Sequence, residues 1–305
     1  MGRTLARPEP RRRLSWPDGA PPVGIHLGVA GGLLKAARRA RQIGATALQI
    51  FSDNPTAWRR RPEPPADAAG FVAYAAANGI EPISIHASYL INLAGSAEPF
   101  ASQSRAGLIH EMQRAPAYGA RLVNTHIGSK IEELAEILER TDPSLADRLA
   151  FCLDTAHLWG AGYDISTPEG GTAVLDRFEA LIGMDRLRLV HLNDSRAEQG
   201  SRNDRHEHVG AGRIGPVGLG AILRDPRLPA QTAVMLETPG VDEGYDAVNL
   251  RRALLLYRGA QLLPELPPKA FKLTRRSTRS GPGRGTRGRG PGAGTGTGTP
   301  VSPSG

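Results

Sequence analysis

Short apolar runs alternate with longer amphipathic segments through most of the chain. Each run precedes a segment with helical periodicity, as at residues 131–140, 168–182 and 245–257. Apolar strands that alternate with amphipathic helices are typical of α/β folds with a parallel sheet. A closed barrel of this class normally has eight strand-helix units. The pattern here predicts seven, with strands at residues 23–27, 47–51, 83–87, 122–126, 149–154, 187–192 and 233–237.

Polar side chains occupy the ends of five predicted strands. They are His86, His126, Asp154, His191 and Glu237. In a TIM-barrel-like (β/α) barrel the carboxyl ends of all strands open into one mouth, where active sites are built. Charged groups at so many buried strand ends require partners or a metal. We therefore predict a metal site at the mouth of a TIM-barrel-like fold.

Three further candidate ligands follow closely after predicted strands. His157 comes three residues after Asp154, and Asp204 and His206 form a D-x-H pair in SRNDRHEHVGAG. Imidazole and carboxylate groups without a nearby thiolate suit zinc in a hydrolytic site. Clustered zinc ions activate water and stabilise the attacking and leaving oxygens of a phosphodiester. The candidate chemistry is therefore hydrolysis.

Positive charge is concentrated at the two ends of the chain. Residues 1–20 carry +3 and residues 266–305 carry +8, whereas residues 21–265 sum to −3 within the total of +8. Both ends have too few apolar residues to offset the entropy of ordering. We predict one folded domain at 21–265 between a disordered basic segment at 1–20 and a disordered Arg/Gly/Pro/Thr-rich tail at 266–305. The tail resembles basic segments that bind nucleic acid through phosphates, and a solvated tail without a dedicated role is an equal alternative.

The cysteine count and the hydropathy pattern bear on the cellular location of the protein. Cys152 is the single cysteine, which excludes an intrachain disulfide and favours a cytoplasmic location. No apolar run reaches the length of about 18 residues that a membrane span needs. The basic N-terminus has no apolar stretch behind it, so no secretory signal is expected.

Several segments together resemble the endonuclease IV family (deoxyribonuclease IV, AP endonuclease family 2). The resemblance covers residues 22–258 and includes HASYLINL, NTHIGS, LDTAHLWGAGYDISTP, HLNDSRAEQGSRNDRHEHVGAGRIG and MLETPG. It implies a zinc-dependent hydrolase of base excision repair, which cleaves double-stranded DNA 5′ to abasic sites. We expect a monomer that binds up to three Zn²⁺ ions and does not associate with membranes.

The resemblance also implies a role for each matching residue. His86 and His126 resemble ligands of a first zinc, and Glu237 resembles a ligand that also orients or deprotonates the attacking water. Ligands of the second zinc would be Asp154, His191 and Glu237, and those of the third would be His157, Asp204 and His206. Contacts with DNA would be made by Asn54, Trp58, Tyr89 and Arg205.

The chain departs from the family pattern between His126 and Asp154. The family has a strand there that ends in a glutamate bridging the first and second zinc ions. Here only 28 positions separate the two residues, which leaves room for one helix but not for helix-strand-helix. Glu132, Glu133 and Glu136 are predicted to lie on the solvated face of that helix, and replacement of the missing ligand by one of them is a further alternative. The first zinc site is therefore expected to be empty or labile.

Two other functions compete with the endonuclease. The first is a catalytically defective relative that keeps the DNA-binding shape, which the missing glutamate favours. The second is a metal-dependent sugar isomerase, because such barrels also place His, Asp and Glu around metals. The DRHEHVGAGRIG and LDTAHLWGAGYD segments argue against the isomerase.

The loop around Thr56 and Ala57 also lacks the long polar side chains with which the family penetrates the duplex, so damage recognition is expected to differ.

Overall fold

The computed structural model describes residues 14–93, 96–125 and 130–272. The strands are β1 (Val23–His26), β2 (Ala47–Ile50), β3 (Ile83–His86), β4 (Ala120–Asn124), β5 (Phe151–Asp154), β6 (Leu187–His191), β7 (Asp194–Ser195), β8 (His206–Glu207) and β9 (Ala233–Leu236). The helices are α1 (Leu33–Ile43), α2 (Ala68–Ala77), α3 (Phe100–Arg114), α4 (Ile131–Arg140), α5 (Pro143–Ala146), α6 (Thr155–Ala161), α7 (Pro168–Leu181), α8 (Gly215–Leu223) and α9 (Tyr245–Tyr257). Short 3₁₀ helices span Ala115–Tyr118, Met184–Arg186 and Pro268–Lys272. Within these ranges no helix is long and apolar enough to cross a membrane.

Seven strands form one parallel sheet in the order β4-β3-β2-β1-β9-β6-β5. β1 pairs with both β2 and β9, so the first and last of these strands are neighbours and the sheet curls into a nearly closed barrel. β4 and β5 end the sheet, and no pairing joins them within the described part of the chain. The predicted TIM-barrel-like fold with seven units is confirmed, and the opening between β4 and β5 lies where the eighth unit would be.

The register of the sheet places polar residues side by side at one edge. Asp154 on β5 is paired in register with His191 on β6, and His86 on β3 with Asn124 on β4. Because all seven strands run parallel, these residues share the edge formed by the carboxyl ends of the strands. The register therefore brings these polar side chains together at the barrel mouth.

The core has an outer layer between strands and helices and a small layer inside the barrel. The inner layer consists of Ala47, Leu189, Ala233 and Met235, with Leu122 of β4 and Cys152 of β5 partly buried against it. Side chains alternate between the two faces of a strand. Asn124 and Asp154 lie two residues beyond Leu122 and Cys152, so they face the same interior at the mouth.

The folded part of the chain extends beyond the predicted bounds of 21–265. Leu14 and Trp16 pack against the outer core, and the Trp16 indole Nε1 donates to the Gly44 carbonyl at 3.2 Å. At the other end Ala270 is fully buried, and its carbonyl lies 3.2 Å from His208 Nε2. The predicted boundaries at 20 and 266 are wrong by several residues, because isolated apolar residues in a polar context still find core contacts. The remainder of both predicted tails lies outside the described residues.

Candidate metal centre

His191 lies at the centre of a group of buried polar side chains at the barrel mouth. Its Nδ1 is 3.5 Å from Asp154 Oδ2 and 3.2 Å from Glu237 Oε2. Asp154, His191 and Glu237 each offer one ligand atom, and these atoms lie within 4.8 Å of one another. One cation could therefore contact all three side chains.

A second group of ligands shares Asp154 with the first. Ligand atoms of Asp154, His157 and His206 also lie within 4.8 Å of one another. Asp204 joins this group, because its Oδ1 is 2.8 Å from His206 Nε2 and its Oδ2 is 3.8 Å from His157 Nε2. The structure thus brings His157, Asp204 and His206 together, as the sequence motifs predict, and adds Asp154 as a link between the groups.

Local structure orients Asp154 and His157. Asp154 caps the N-terminus of α6, where its Oδ1 accepts from the backbone N–H groups of Ala156 at 2.7 Å and His157 at 3.0 Å. An aspartate at this position satisfies amide groups that the helix cannot pair. Asn193 donates from Nδ2 to Asp154 Oδ2 at 2.9 Å. Both carboxylate oxygens are therefore fixed by the chain, which pre-organises the site.

A short antiparallel hairpin positions His206. β7 and β8 pair through Ser195 and His206. Buried Asp194 accepts backbone N–H groups from Ser195, Gly212, Ile214 and Gly215, at 2.8 to 3.4 Å. Burial raises the Asp194 pKa to about 6, although these hydrogen bonds oppose the shift. A Cβ at Gly212 would approach the Ser195 carbonyl oxygen to 2.4 Å, so only glycine fits this turn.

Backbone carbonyls select the tautomers of two histidines. Nδ1 of His86 is 2.7 Å from the Ala87 carbonyl, and Nδ1 of His206 is 2.9 Å from the Glu237 carbonyl. A neutral imidazole that donates from Nδ1 keeps its lone pair on Nε2. In each residue Nε2 is the nitrogen that approaches a carboxylate. Both rings therefore present a metal-binding nitrogen to the centre of the site.

The charges of the site perturb the pKa values of its members. Burial lowers the pKa of His206, but Asp204 and Asp154 outweigh burial and raise it to about 9. Burial raises the pKa of Asp154, yet the surrounding histidines hold it below its usual range. Burial also raises the pKa of Glu237, but His191 outweighs burial and holds that pKa well below its usual range. A dication bound here would replace the protons on the imidazoles, so imidazole and carboxylate donors of this kind fit zinc.

Comparisons with known proteins decide the family. A sequence profile described as xylose isomerase-like TIM barrel matches residues 37–131 and 124–260. A Chloroflexus aurantiacus protein named "Probable endonuclease 4" is 31% identical over 287 residues, covering 79% of this chain and 100% of that protein. A protein of the same name from Halorhodospira halophila is 34% identical over 271 residues, covering 74% and 90%. The crystal structure of endonuclease IV from Thermus thermophilus matches with a TM-score of 0.69 at 34% identity, covering 79% of this chain and 100% of that chain. This chain belongs to the endonuclease IV family.

Two residues of the endonuclease IV site were missed by the sequence analysis. Gln49 donates from Nε2 to Glu237 Oε1 at 2.7 Å, and its Oε1 is 3.1 Å from His191 Nε2. Asn193 accepts the Glu237 backbone N–H at 2.8 Å and also contacts Asp154. The sequence signal for Gln49 was a glutamine within the apolar run at residues 47–51. The Asn193 contact depends on tertiary structure, and the sequence carries no signal for it beyond the HLND motif.

The four residues expected to contact DNA occupy different positions around the mouth. Tyr89 is 55% exposed, and its ring centroid is 5.8 Å from that of His86, so this side chain stands at the rim of the site. Arg205 is exposed between the ligands Asp204 and His206. Asn54 is exposed and Trp58 half-buried, in the loop after β2. Their contacts with DNA stay predictions.

The endonuclease IV pattern remains incomplete next to the opening between β4 and β5. His126 lies outside the described residues. Glu132 contacts Arg177 at 3.0 Å and the Tyr163 hydroxyl at 3.0 Å. Among the carboxylates of the same helix, Glu133 accepts the Lys130 backbone N–H and Glu136 pairs with Arg140. Neither ligand group found in the described part of the chain includes one of these glutamates.

Proposed function

We propose that this endonuclease IV family member is a zinc-dependent phosphodiester hydrolase of DNA base excision repair, which cuts double-stranded DNA 5′ to abasic sites. Membership of the family supports a DNA-cleaving hydrolase. The observation that carries the proposal is the pair of ligand groups that share Asp154 at the barrel mouth. Zinc bound there would activate water and stabilise the oxygens of the scissile phosphodiester.

Glu237 is the residue proposed to handle the proton of the attacking water. Its Oε1 is held by Gln49, and its backbone is held by Asn193. Its depressed pKa keeps the side chain ionised at neutral pH. A fixed, ionised carboxylate can orient a water molecule and accept its proton. Glu237 therefore combines metal binding with general base chemistry.

Tyr89 and Arg205 support a DNA substrate. An exposed tyrosine ring at the rim can stack on or displace a base, because stacking needs only an accessible aromatic face. The exposed Arg205 guanidinium can contact a phosphate next to the ligands that flank it in sequence. The proposed partner is therefore duplex DNA with an abasic site, bound by Asn54, Trp58, Tyr89 and Arg205 of a single chain. A DNA substrate also agrees with the proposed cytoplasmic location.

The opening between β4 and β5 supports a second candidate function. In this alternative the chain binds DNA but cleaves it poorly or not at all, because one strand and its glutamate are missing at that edge of the site. The engagement of Glu132, Glu133 and Glu136 in other contacts favours this alternative. A sugar isomerase has no comparable support, since the two relatives described above, at 31% and 34% identity, carry the name endonuclease 4.

The deciding experiment measures zinc content and DNA cleavage on the same full-length preparation. A duplex with one abasic-site analogue is compared with the undamaged duplex, and the ends of the product are mapped. Asp204→Asn serves as a variant with one ligand group weakened. Bound zinc with a cut 5′ to the lesion supports the hydrolase. Tight lesion binding without cleavage would establish the defective relative, and neither zinc nor preference for the lesion would overturn both.

A further inference from the structure

Asn124 is a buried amide at the open edge of the barrel. It is the last residue of β4 and is only 7% exposed. Neither its Oδ1 nor its Nδ2 has a hydrogen-bond partner among the residues that the structure describes. Buried polar side chains are nearly always paired, because an unpaired one loses its hydration without compensation. An unpaired carboxamide at the edge of a functional site therefore points to a ligand.

Three features direct the Asn124 side chain toward the mouth. Leu122, two residues earlier on β4, packs against the inner core, whereas Val123 packs against the outer core. Side-chain alternation therefore turns Asn124 inward. Asn124 is the register partner of His86 on β3, and neighbouring strands are about 4.8 Å apart. The amide thus lies beside the imidazole whose Nε2 is 3.7 Å from Glu237 Oε1.

The opposite side of the opening supplies a negative charge. Asp154 is the last residue of β5 and lies on the inward face, where its carboxylate belongs to both ligand groups. Asn124 and Asp154 therefore flank the space between β4 and β5, which are not paired in the part of the chain that the structure describes. A carboxamide oxygen is a neutral ligand that suits a divalent cation next to imidazole and carboxylate groups.

We propose that Asn124 supplies its carboxamide oxygen to a metal ion bound beside His86 at the open edge of the barrel, separate from the two ligand groups that share Asp154. This proposal rests on the metal-dependent function proposed above. The ion is expected to bind more weakly than the ions of the two groups that share Asp154, because its ligands include fewer carboxylates. The asparagine thereby gives this edge of the site an oxygen ligand that no described glutamate provides.

The test is a zinc titration of the metal-free full-length chain against a chromophoric chelator. Asn124→Leu removes the oxygen but keeps the branched shape of the side chain, and Asn124→Asp retains an oxygen and adds charge. Asn78→Asp makes the same chemical change at the end of α2, away from the mouth. Asn124→Leu should weaken only the weakest site, by at least about tenfold, since even indirect partners of metal ligands contribute that much. Asn124→Asp should bind at least as tightly as the unaltered chain, and Asn78→Asp should bind as the unaltered chain does.

A double variant assigns the effect to the site beside His86. His86→Asn should abolish the weakest site, and adding Asn124→Leu to it should change nothing further. Thermal unfolding of each metal-free variant checks that it is folded. Zinc binding that Asn124→Leu leaves unchanged, or that both Asn124 variants weaken equally, overturns this inference and leaves the two-group centre intact. A chain that binds no zinc at all overturns the proposed function and this inference together.

Discussion

Asp154 belongs to both ligand groups, so its loss should affect the site more than the loss of any other ligand. Each group also contains residues that the other lacks, such as His191 in the first and His157 in the second. We expect Asp154→Asn to remove more zinc per chain than either His191→Asn or His157→Asn. Metal analysis of the three variants after identical dialysis checks this. Equal losses in all three would show that Asp154 does not link the groups.

Glu237 combines a ligand oxygen with a proton acceptor, and its substitution should separate the two roles. Glu237→Gln keeps the size of the side chain and its backbone contact with Asn193, but removes the negative charge. We expect cleavage of an abasic duplex to fall by about 10²- to 10⁴-fold, the usual contribution of general acid-base catalysis. Single-turnover rates at saturating zinc measure the loss. A variant that regains full rate at high zinc would limit Glu237 to metal binding.

His206 should make the stability of the metal-free protein depend on pH. Its pKa is about 9 in the folded chain against an ordinary 6.5, so the stabilisation is complete below pH 6.5 and is lost as pH rises through 9. Asp154 and Asp204 have depressed pKa values, so their contribution is lost on acidification. Metal-free stability should therefore peak at about pH 5 to 6.5 and fall toward pH 9.

Zinc should reverse this dependence, because it binds the deprotonated imidazole and stabilises more as pH rises. Urea unfolding at pH 6 and pH 9, with chelator and with zinc, measures both effects. His206→Asn is the control and should reduce the loss of metal-free stability between pH 6 and pH 9, leaving the part that the raised pKa values of His157 and His191 contribute. An unaltered chain whose metal-free stability is the same at both pH values would contradict the assignment.

At the scale of elements, the hairpin of β7 and β8 depends on one buried carboxylate. Asp194 accepts backbone N–H groups from both sides of the turn, and an amide in its place would turn a donor toward some of them. We expect Asp194→Asn to lower the free energy of unfolding by about 1–3 kcal/mol and to weaken zinc binding at His206. Urea unfolding and zinc titration measure the two effects. Ser195→Ala, which removes one local contact in the same hairpin, should change both far less.

The larger elements could be predicted from sequence, and the small ones could not. All seven barrel strands lie within two residues of their predicted ends, and α9 has the predicted bounds of 245–257. Apolar runs and amphipathic periodicity define such elements well. β7 and β8 have two residues each, too few for any periodicity. The roles of Gln49 and Asn193 depend on contacts between distant strands, which a single sequence does not display.

At the scale of the whole molecule, the barrel tolerates an opening because its missing unit lies at one place. β1 joins β2 to β9, so the break affects only the edges of β4 and β5. Asp154, on one of these edges, still receives support from Asn193 and α6. The ligand groups that share Asp154 therefore depend on strands β5, β6 and β9 and the hairpin, away from β4. This separation explains why a chain without the eighth unit can keep both of these ligand groups.

The two ends of the predicted C-terminal tail should behave differently on truncation. Residues 273–305 carry six arginines and no acidic residue. Removing them should leave thermal stability unchanged and lower the salt dependence of nonspecific DNA binding, by up to about 5 in the logarithmic slope.

A cut after residue 265 also removes Ala270, which is buried and contacts His208. That truncation should lower the melting temperature, because it leaves His208 and its surroundings exposed. The measurement is thermal unfolding together with DNA binding across a salt series for both truncations. Equal DNA affinity with and without residues 273–305 at every salt concentration would show that the arginines do not contact DNA, and equal melting temperatures for the two truncations would show that Ala270 contributes nothing to the fold.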